Sequence, residues 1–359
     1  MSSARSYAII GAGMMGCEHI RNLALLDDAH LVALADPHPH SLTAAAALAN
    51  QYGDTPDCYS DIQEMLQAKK PDAVIIASPN HTHFDVMQQV MPHSPAILLE
   101  KPMCTAGEDA RALHDLVQGY TPPVWIGLEY RYMPPVSAFI RRVHAGETGP
   151  VKMLSIREHR FPFLPKVGDW NRFNRNSGGT LVEKCCHFFD LMRLILQDEP
   201  VRIFASGAQD VNHLDEQYGG EVPDIIDNAY VLVDFAGGGR AVLDLCMFAE
   251  GSEQQEEIYA LGPTGKMEVK IPAGDIVWSP RDVSGAVRTH IDVPKSAMQA
   301  GDHHGATWFQ LQDFHAALTN GTPPLVTSLD GLRSVQMGLA AQQSIATGLP
   351  VPLGFGGGI

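Results

Sequence analysis

Three stretches of this chain carry residue types and spacings suited to holding a diphosphate and moving a proton. The first is Gly11-Ala12-Gly13-Met14-Met15-Gly16, which follows the β-prone run 6–10. In a GxGxxG between strand and helix, Gly11 permits the tight turn, Gly13 lets a pyrophosphate approach the backbone, and Gly16 lets the helix sit close to the strand. Met14 and Met15 open that helix, whose unpaired amides and dipole hold the anion. Asp36 ends the next run, HLVALAD, where a carboxylate accepts hydrogen bonds from the adenosine ribose. Residues 37–41, Pro-His-Pro-His-Ser, offer no Lys or Arg against a 2′-phosphate, so NAD is favoured over NADP. A ligand-free turn and a solvated Asp36 are the plain alternatives, and the order strand, turn, helix, acid weighs against both.

The second stretch pairs Ser78-Pro79-Asn80-His81-Thr82-His83 with Glu100-Lys101-Pro102, each at the end of an apolar run (71–78 and 96–100) where open α/β sheets bind ligands. The third is Gly178-Gly179-Thr180-Leu181-Val182-Glu183-Lys184-Cys185-Cys186-His187-Phe188-Phe189-Asp190. A hydride leaves a carbinol carbon only as a proton leaves the hydroxyl. A free lysine, with a pKa of about 10.4, does that poorly near neutrality unless burial or a neighbouring cation lowers it. An imidazole serves there as base or donor. On one continuous helix Glu183 and His187 share a face, with Asp190 on a neighbouring stripe, either bracing the helix or orienting His187. A zinc site from Cys185, Cys186, His187 and His303 or His304 lacks any CxxC or HExxH, so no metal is expected and the cysteines read as packing.

Taken together and in order, these segments resemble the glucose–fructose oxidoreductase / inositol dehydrogenase (Gfo/Idh/MocA) family, from the glycine turn to the last helix. The resemblance implies that Lys101 of the EKP signature lies between nicotinamide and substrate, with Glu100 supporting its geometry. It puts Glu183 where the family typically has Asp, and His187 at the family's His, making Lys101, Glu183 and His187 the catalytic and substrate-contacting set. Ser78, Asn80 and His83 then lie near the cofactor, although His81 and His83 also suit a helix cap. Trp170 and Arg172 match a Trp and Arg that reach the cofactor of the same or the adjacent subunit; a packed aromatic and a solvated arginine are the alternatives. Tyr130 and Arg131 fall in the interdomain segment, where the family more often has Asn. His303 and His304, before a late helix, either bond polyol hydroxyls or belong to the cap of that helix. The implied activity is reversible, NAD-dependent oxidation of a secondary hydroxyl of a cyclitol, sugar or related polyol. A noncatalytic NAD-binding regulator is the alternative, and it would not need Lys101 and His187 together.

The elements that must position these residues follow from periodicity. To about residue 125, short apolar runs alternate with helical patterns at 41–50, 81–91 and 107–118, which predicts a Rossmann-type doubly wound parallel sheet. Beyond it, strand-like runs at 151–160, 201–207, 228–235, 240–248, 256–262 and 265–271 are joined by turns such as Gly237-Gly238-Gly239, predicting an α+β domain with a large, mostly antiparallel open sheet. Helices are expected over 181–196, 306–319 and 329–346, and the one low-complexity tract is the glycine-rich end, 354–358. The division is thus 1–125 for the cofactor and 126–359 for substrate and oligomerisation, the last helix being free to pack back on the first domain. The 359-residue length suits two domains. An open sheet with apolar strands needs its second face covered, so a homodimer or homotetramer is expected. The net charge of −16 disfavours nucleic acid and anionic membranes. No leader-like start, no long apolar run and six cysteines without a disulfide-like pattern predict a cytoplasmic protein with reduced thiols.

Overall fold

The computed structural model describes residues 4–282, 284–301 and 303–354, so all but the first position of the glycine-rich tail lies outside it. Six strands form the first sheet: β1 (Arg5–Ile10), β2 (Ala29–Ala35), β3 (Asp57–Tyr59), β4 (Ala73–Ile76), β5 (Ala96–Leu99) and β6 (Val124–Ile126). They pair in parallel in the order 3-2-1-4-5-6. Helices α1 (Met14–Leu23), α2 (Pro39–Gln51), α3 (Ile62–Lys69), α4 (His83–Val90) and α5 (Gly107–Gln118) connect them. Ile9, Val74, Ile75, Ile97 and Leu98 are fully buried, as strands covered on both faces require. Because the winding reverses between β1 and β4, a crevice opens at their carboxyl ends. There the glycine turn and the loops after β4 and β5 meet.

The second sheet has nine strands: β7 (Met153–His159), β8 (Pro200–Ala208), β9 (Asn228–Phe235), β10 (Arg240–Cys246), β11 (Glu256–Leu261), β12 (Gly265–Ile271), β13 (Asp275–Pro280), β14 (Val287–His290) and β15 (Val351–Pro352). All its neighbours are antiparallel except β7 and β10, which run parallel. The helices of this half are α6 (Pro134–His144), α7 (Asn174–Ser177), α8 (Thr180–Glu183), α9 (Cys186–Leu196), α10 (Lys295–Ala300), α11 (Ala306–Asn320) and α12 (Ser328–Thr347). Burial alternates along β8, β9 and β10, and one face of the sheet packs on α6, α9 and α12. On the opposite face Phe204, Tyr230 and Leu232 stand exposed, with Phe204 paired across from Leu232.

Two helices join the halves. Leu311 and Phe314 of α11, with Leu332 and Val335 of α12, complete the core of the first sheet, while Met337, Ala340 and Ala341 of α12 enter the core of the second. The helix expected over 181–196 is in fact two. The Cys185 amide reaches back to the Thr180 carbonyl at 3.2 Å instead of to Leu181, and the ladder restarts with Phe189 on Cys185. Glu183 therefore ends one short helix and His187 lies in the first turn of the next, a correction to the single continuous face inferred from their spacing.

Candidate active site

Local backbone geometry shapes the glycine turn. Gly11 has φ +95°, and a Cβ there would fall 2.5 Å from the Ala77 carbonyl and the Ser78 amide; at Gly16 it would fall 2.1 Å from the Gly11 carbonyl oxygen. Gly13, at the N-cap of α1, has nothing within 4 Å of where its Cβ would lie, and no side chain caps the helix. Open backbone at a helix N-terminus is what a diphosphate needs. A cavity of about 500 Å³ runs from here, walled by Gly11, Gly13, Met14, Met15 and Asp36 at one end and by Ser78, Asn80, Glu100, Lys101 and Trp170 toward the other. Asp36 Oδ2 accepts the Ala12 amide and Oδ1 the His38 amide, both at 2.8 Å. These bonds fix the carboxylate while leaving lone pairs for ribose hydroxyls. Asp61 shares that end of the cavity. The dinucleotide's phosphates, ribose and reach are thus all matched by groups in place.

At the far end the strand loops are braced from beneath. His83 is buried, with Nδ1 2.8 Å from the Pro102 carbonyl and Nε2 3.0 Å from that of Ser78. It ties the two loops together and does not line the cavity, which corrects its reading as a cofactor contact. Asn80 does line it, with its amide nitrogen donating to the Ser177 carbonyl of α7 at 3.1 Å and so joining the two domains. Glu100 is buried against His19 of α1, Oε1 to Nε2 2.7 Å. Burial pushes the carboxyl up and the imidazole down, yet the bond and the charge attraction between them outweigh it, so Glu100 is held below its ordinary range and His19 above. A charged pair results, and Glu100 Oε2 accepts the Lys101 amide at 3.2 Å. The Lys101–Pro102 peptide is cis.

From the second domain, Lys101 Nζ meets the Glu183 carbonyl oxygen at 3.3 Å. Glu183 Oε2 and His187 Nδ1, both sealed from solvent, have no partner among the described residues, the state of groups awaiting a ligand's hydroxyls. Burial raises the Glu183 carboxyl despite Lys166 and Lys101 nearby. Burial, reinforced by the charges of Lys101 and Lys184, drives the His187 imidazole far below its ordinary value. His187 is therefore neutral, with its ring stacked on Tyr130 (centroids 4.0 Å apart, planes 11° apart). Tyr130 OH in turn accepts a hydrogen bond from Lys184 Nζ, whose other partner is Glu158 at 2.9 Å. Asp190 pairs with Arg131 and braces α9 instead of touching His187.

Other assignments move. Trp170 lines the cavity, edge-on to His81 at 6.1 Å. Arg172 does not, because its guanidinium is taken by Glu216 (3.0 Å) and the Phe163 carbonyl (3.1 Å). His303 Nδ1 lies 2.9 Å from Glu18 Oε1, and Thr307 bridges Glu18 to Glu129, so the ring is anchored to α1 and not capping α11, whose N-cap is Gly305. His304 adopts φ +51° in the same turn, and Asp302 lies outside the described residues. Sequence reasoning missed Lys166, which shares the cavity wall with Lys101, and also His19 and the Lys184–Tyr130 support. Lys166 sits in a loop with no periodic pattern; the others are contacts between elements distant in sequence.

A reversed-order parallel sheet, a diphosphate cradle and a lysine at the far end of the same cavity define a nicotinamide-dependent oxidoreductase. Residues 5–128 match the NAD-binding Rossmann fold domain of the GFO_IDH_MocA oxidoreductase family and residues 140–353 its C-terminal alpha/beta domain. The chain belongs to that family and is a dehydrogenase acting on CH–OH groups. It is 28% identical over 345 residues to an inositol 2-dehydrogenase of Rhizobium meliloti (strain 1021), covering 95% of this chain and 96% of that protein. It is 26% identical to scyllo-inositol 2-dehydrogenase (NAD(+)) of Bacillus subtilis (strain 168), covering 96% and 95%. Among solved structures, an oxidoreductase from Agrobacterium radiobacter in complex with NAD+, L-tartaric acid and magnesium shares the fold, with TM-score 0.82, 19% identity and 98% of both chains covered. No helix among the described residues is long and apolar enough to cross a membrane.

Proposed function

We propose that the chain catalyses reversible, NAD-dependent oxidation of one secondary hydroxyl of a cyclitol, sugar or related polyol. Lys101 supports this reading best: it lines the cofactor cavity and its ammonium reaches the Glu183 backbone, spanning the two domains. Bound NAD supplies the hydride acceptor at nicotinamide C4. Lys101 receives the hydroxyl proton on the lone pair of its Nζ. His187, held neutral, hydrogen-bonds and orients the reacting oxygen without competing as a cation. Glu183 accepts from an adjacent hydroxyl. His303 and His304 stay in the proposal as substrate contacts.

Cofactor choice rests on the adenosine end of the cavity, where Asp36 and Asp61 line the wall; among the described residues the wall's Lys and Arg are Lys101 and Lys166, which we assign to the other end. A 2′-phosphate would meet two carboxylates, so NAD is preferred to NADP. Residues 1–125 then serve the cofactor and 126–359 the substrate and a homodimer or homotetramer in the cytoplasm. The exposed Phe204, Tyr230 and Leu232 face supports the assembly. Lys101→Met tests the central role. Turnover on the best substrate of a polyol panel should fall by about 10²- to 10⁴-fold, with NAD affinity by fluorescence titration within about twofold. Turnover equal to wild type would remove Lys101 from the chemistry.

A further inference from the structure

The wall of the cavity around Lys101 has more positive charge than protein groups to offset it. Lys101 and Lys166 both line the cavity, and neither forms an ion pair among the described residues. Lys101 Nζ has only the Glu183 backbone carbonyl, and Lys166 Nζ only the Trp170 ring, 5.2 Å from its centroid. The surrounding charges are already matched. Glu100 is held by His19 at 2.7 Å, Arg172 by Glu216 at 3.0 Å, and Arg160 lies 3.6 Å from Glu158. Glu183 is left alone between the two lysines, and burial drives its carboxyl toward the neutral form. Burial, aided by the charge of Lys101, holds Lys166 below its ordinary value against the opposing pull of Glu183 and Glu100. Bound NAD+ places its diphosphate at the glycine turn, the other end of the cavity, and brings its positive nicotinamide ring to this end. Once cofactor and substrate close the cavity over them, these half-buried lysines need an anion beside them, and a neutral polyol brings none.

We propose that the substrate is a polyhydroxy acid, a sugar or cyclitol acid whose carboxylate rests on Lys166 while its secondary hydroxyl meets Lys101. The inference rests on the dehydrogenase reading above and narrows its substrate class. The carbinol C–H bond breaks with its electron pair going to NAD+, the O–H proton goes to the free lone pair of Lys101 Nζ, a ketone forms, and the carboxylate is unchanged.

Matched pairs test it: D-glucose with D-glucuronate, D-galactose with D-galacturonate, and methyl glucoside with methyl glucuronide, assayed by NADH formation. Calorimetric binding of the same compounds to the NADH-loaded enzyme runs in parallel. At least one acid should exceed its neutral partner by about 10- to 100-fold in kcat/KM, the worth of one charge-assisted hydrogen bond. Raised salt should weaken the acid more than the neutral compound. Lys166→Met should collapse the acid-to-neutral ratio toward one, and Lys166→Arg should retain most of it. Neutral polyols turned over as well as or better than every acid would overturn the proposal and leave the dehydrogenase reading standing. So would a Lys166→Met variant that loses NAD affinity while keeping the ratio, since the lysine would then serve the cofactor. If no compound yields NADH, the proposed function loses these sugars as substrates, whatever becomes of this inference. Calorimetry then decides, with equal or absent binding of the acids sinking this inference.

Discussion

The two ends of the cavity are built by different means. The glycine turn offers backbone: amides at the start of α1, an absent side chain at Gly13, and one carboxylate, Asp36, pinned by two amides. The Lys101 end offers side chains whose charge states depend on one another across elements far apart in sequence, from His19 and Glu100 to Glu183, His187 and Lys184. A backbone cradle is fixed by steric fit and tolerates little variation. A side-chain site is fixed by charge balance, so single substitutions can retune it.

The glycines give the largest test of that contrast, because they separate fit from ligand. A Cβ at Gly16 would overlap the Gly11 carbonyl oxygen at 2.1 Å, so Gly16→Ala should cost about 1–3 kcal/mol through overpacking and lower the melting temperature by several degrees. Gly13→Ala meets nothing within 4 Å. Its melting temperature without cofactor should match wild type while the NAD Kd, measured by calorimetry, rises about tenfold or more, since about 1.4 kcal/mol of lost approach suffices. If both variants unfold alike, or Gly13→Ala binds NAD normally, the cradle account fails.

At the side-chain end the corresponding change should alter rate and spare the fold. Tyr130 lies flat against His187 and is held by Lys184. Tyr130→Leu removes the stack and should lower kcat about tenfold by loosening a hydrogen-bonding group, with NAD Kd unchanged. Tyr130→Phe, which keeps the ring, should recover most of that loss. Equal defects in the two variants would show that the hydroxyl matters and not the stack.

Asp36 lies between the two modes, a side chain fixed by backbone. Asp36→Ala should shift the ratio of kcat/KM for NAD over NADP by about tenfold toward NADP, one charged hydrogen bond being worth roughly that much. An unchanged ratio would assign the discrimination to Asp61 or to loop shape.

The same contrast explains what the sequence shows and what it hides. The strand runs, the glycine turn, Asp36 and Lys101 are local signals, written in consecutive residues. Strand β3 is three residues, Asp57-Cys58-Tyr59, with no periodicity to display. Helix α6 was legible in principle, since Pro134 and Pro135 open it and Val136, Phe139, Ile140 and Val143 repeat at helical spacing on its buried face. The break between α8 and α9 carries no Gly or Pro to announce it. His19 and the Lys184–Tyr130 support acquire meaning only from residues tens of positions away, Lys166 only from the cavity it lines, and Arg172 reads as a cofactor ligand until Glu216 is seen to hold it. Residue types forecast which groups matter; their partners decide what each does.

His303 carries this dependence into a pH effect, the smallest of the expected changes. Burial lowers its imidazole, but the charge of Glu129 and the bond and charge of Glu18 outweigh it, and the group is raised to about 9. A free histidine titrates near 6.5. Since the folded value lies above the unfolded one, the pairing stabilises fully below about 6.5, and its contribution is lost as pH rises through about 9. His303→Gln should therefore melt below wild type at pH 6, with the gap narrowing steadily to pH 9.5. A gap constant across that range would mean that His303 is neutral throughout, and that Glu18 owes its lowered carboxyl to Thr307 and His19 instead. No such slope is expected for Gly16→Ala, whose penalty is steric and independent of protonation, so the two melting series measured side by side distinguish a fold element held by shape from one held by charge.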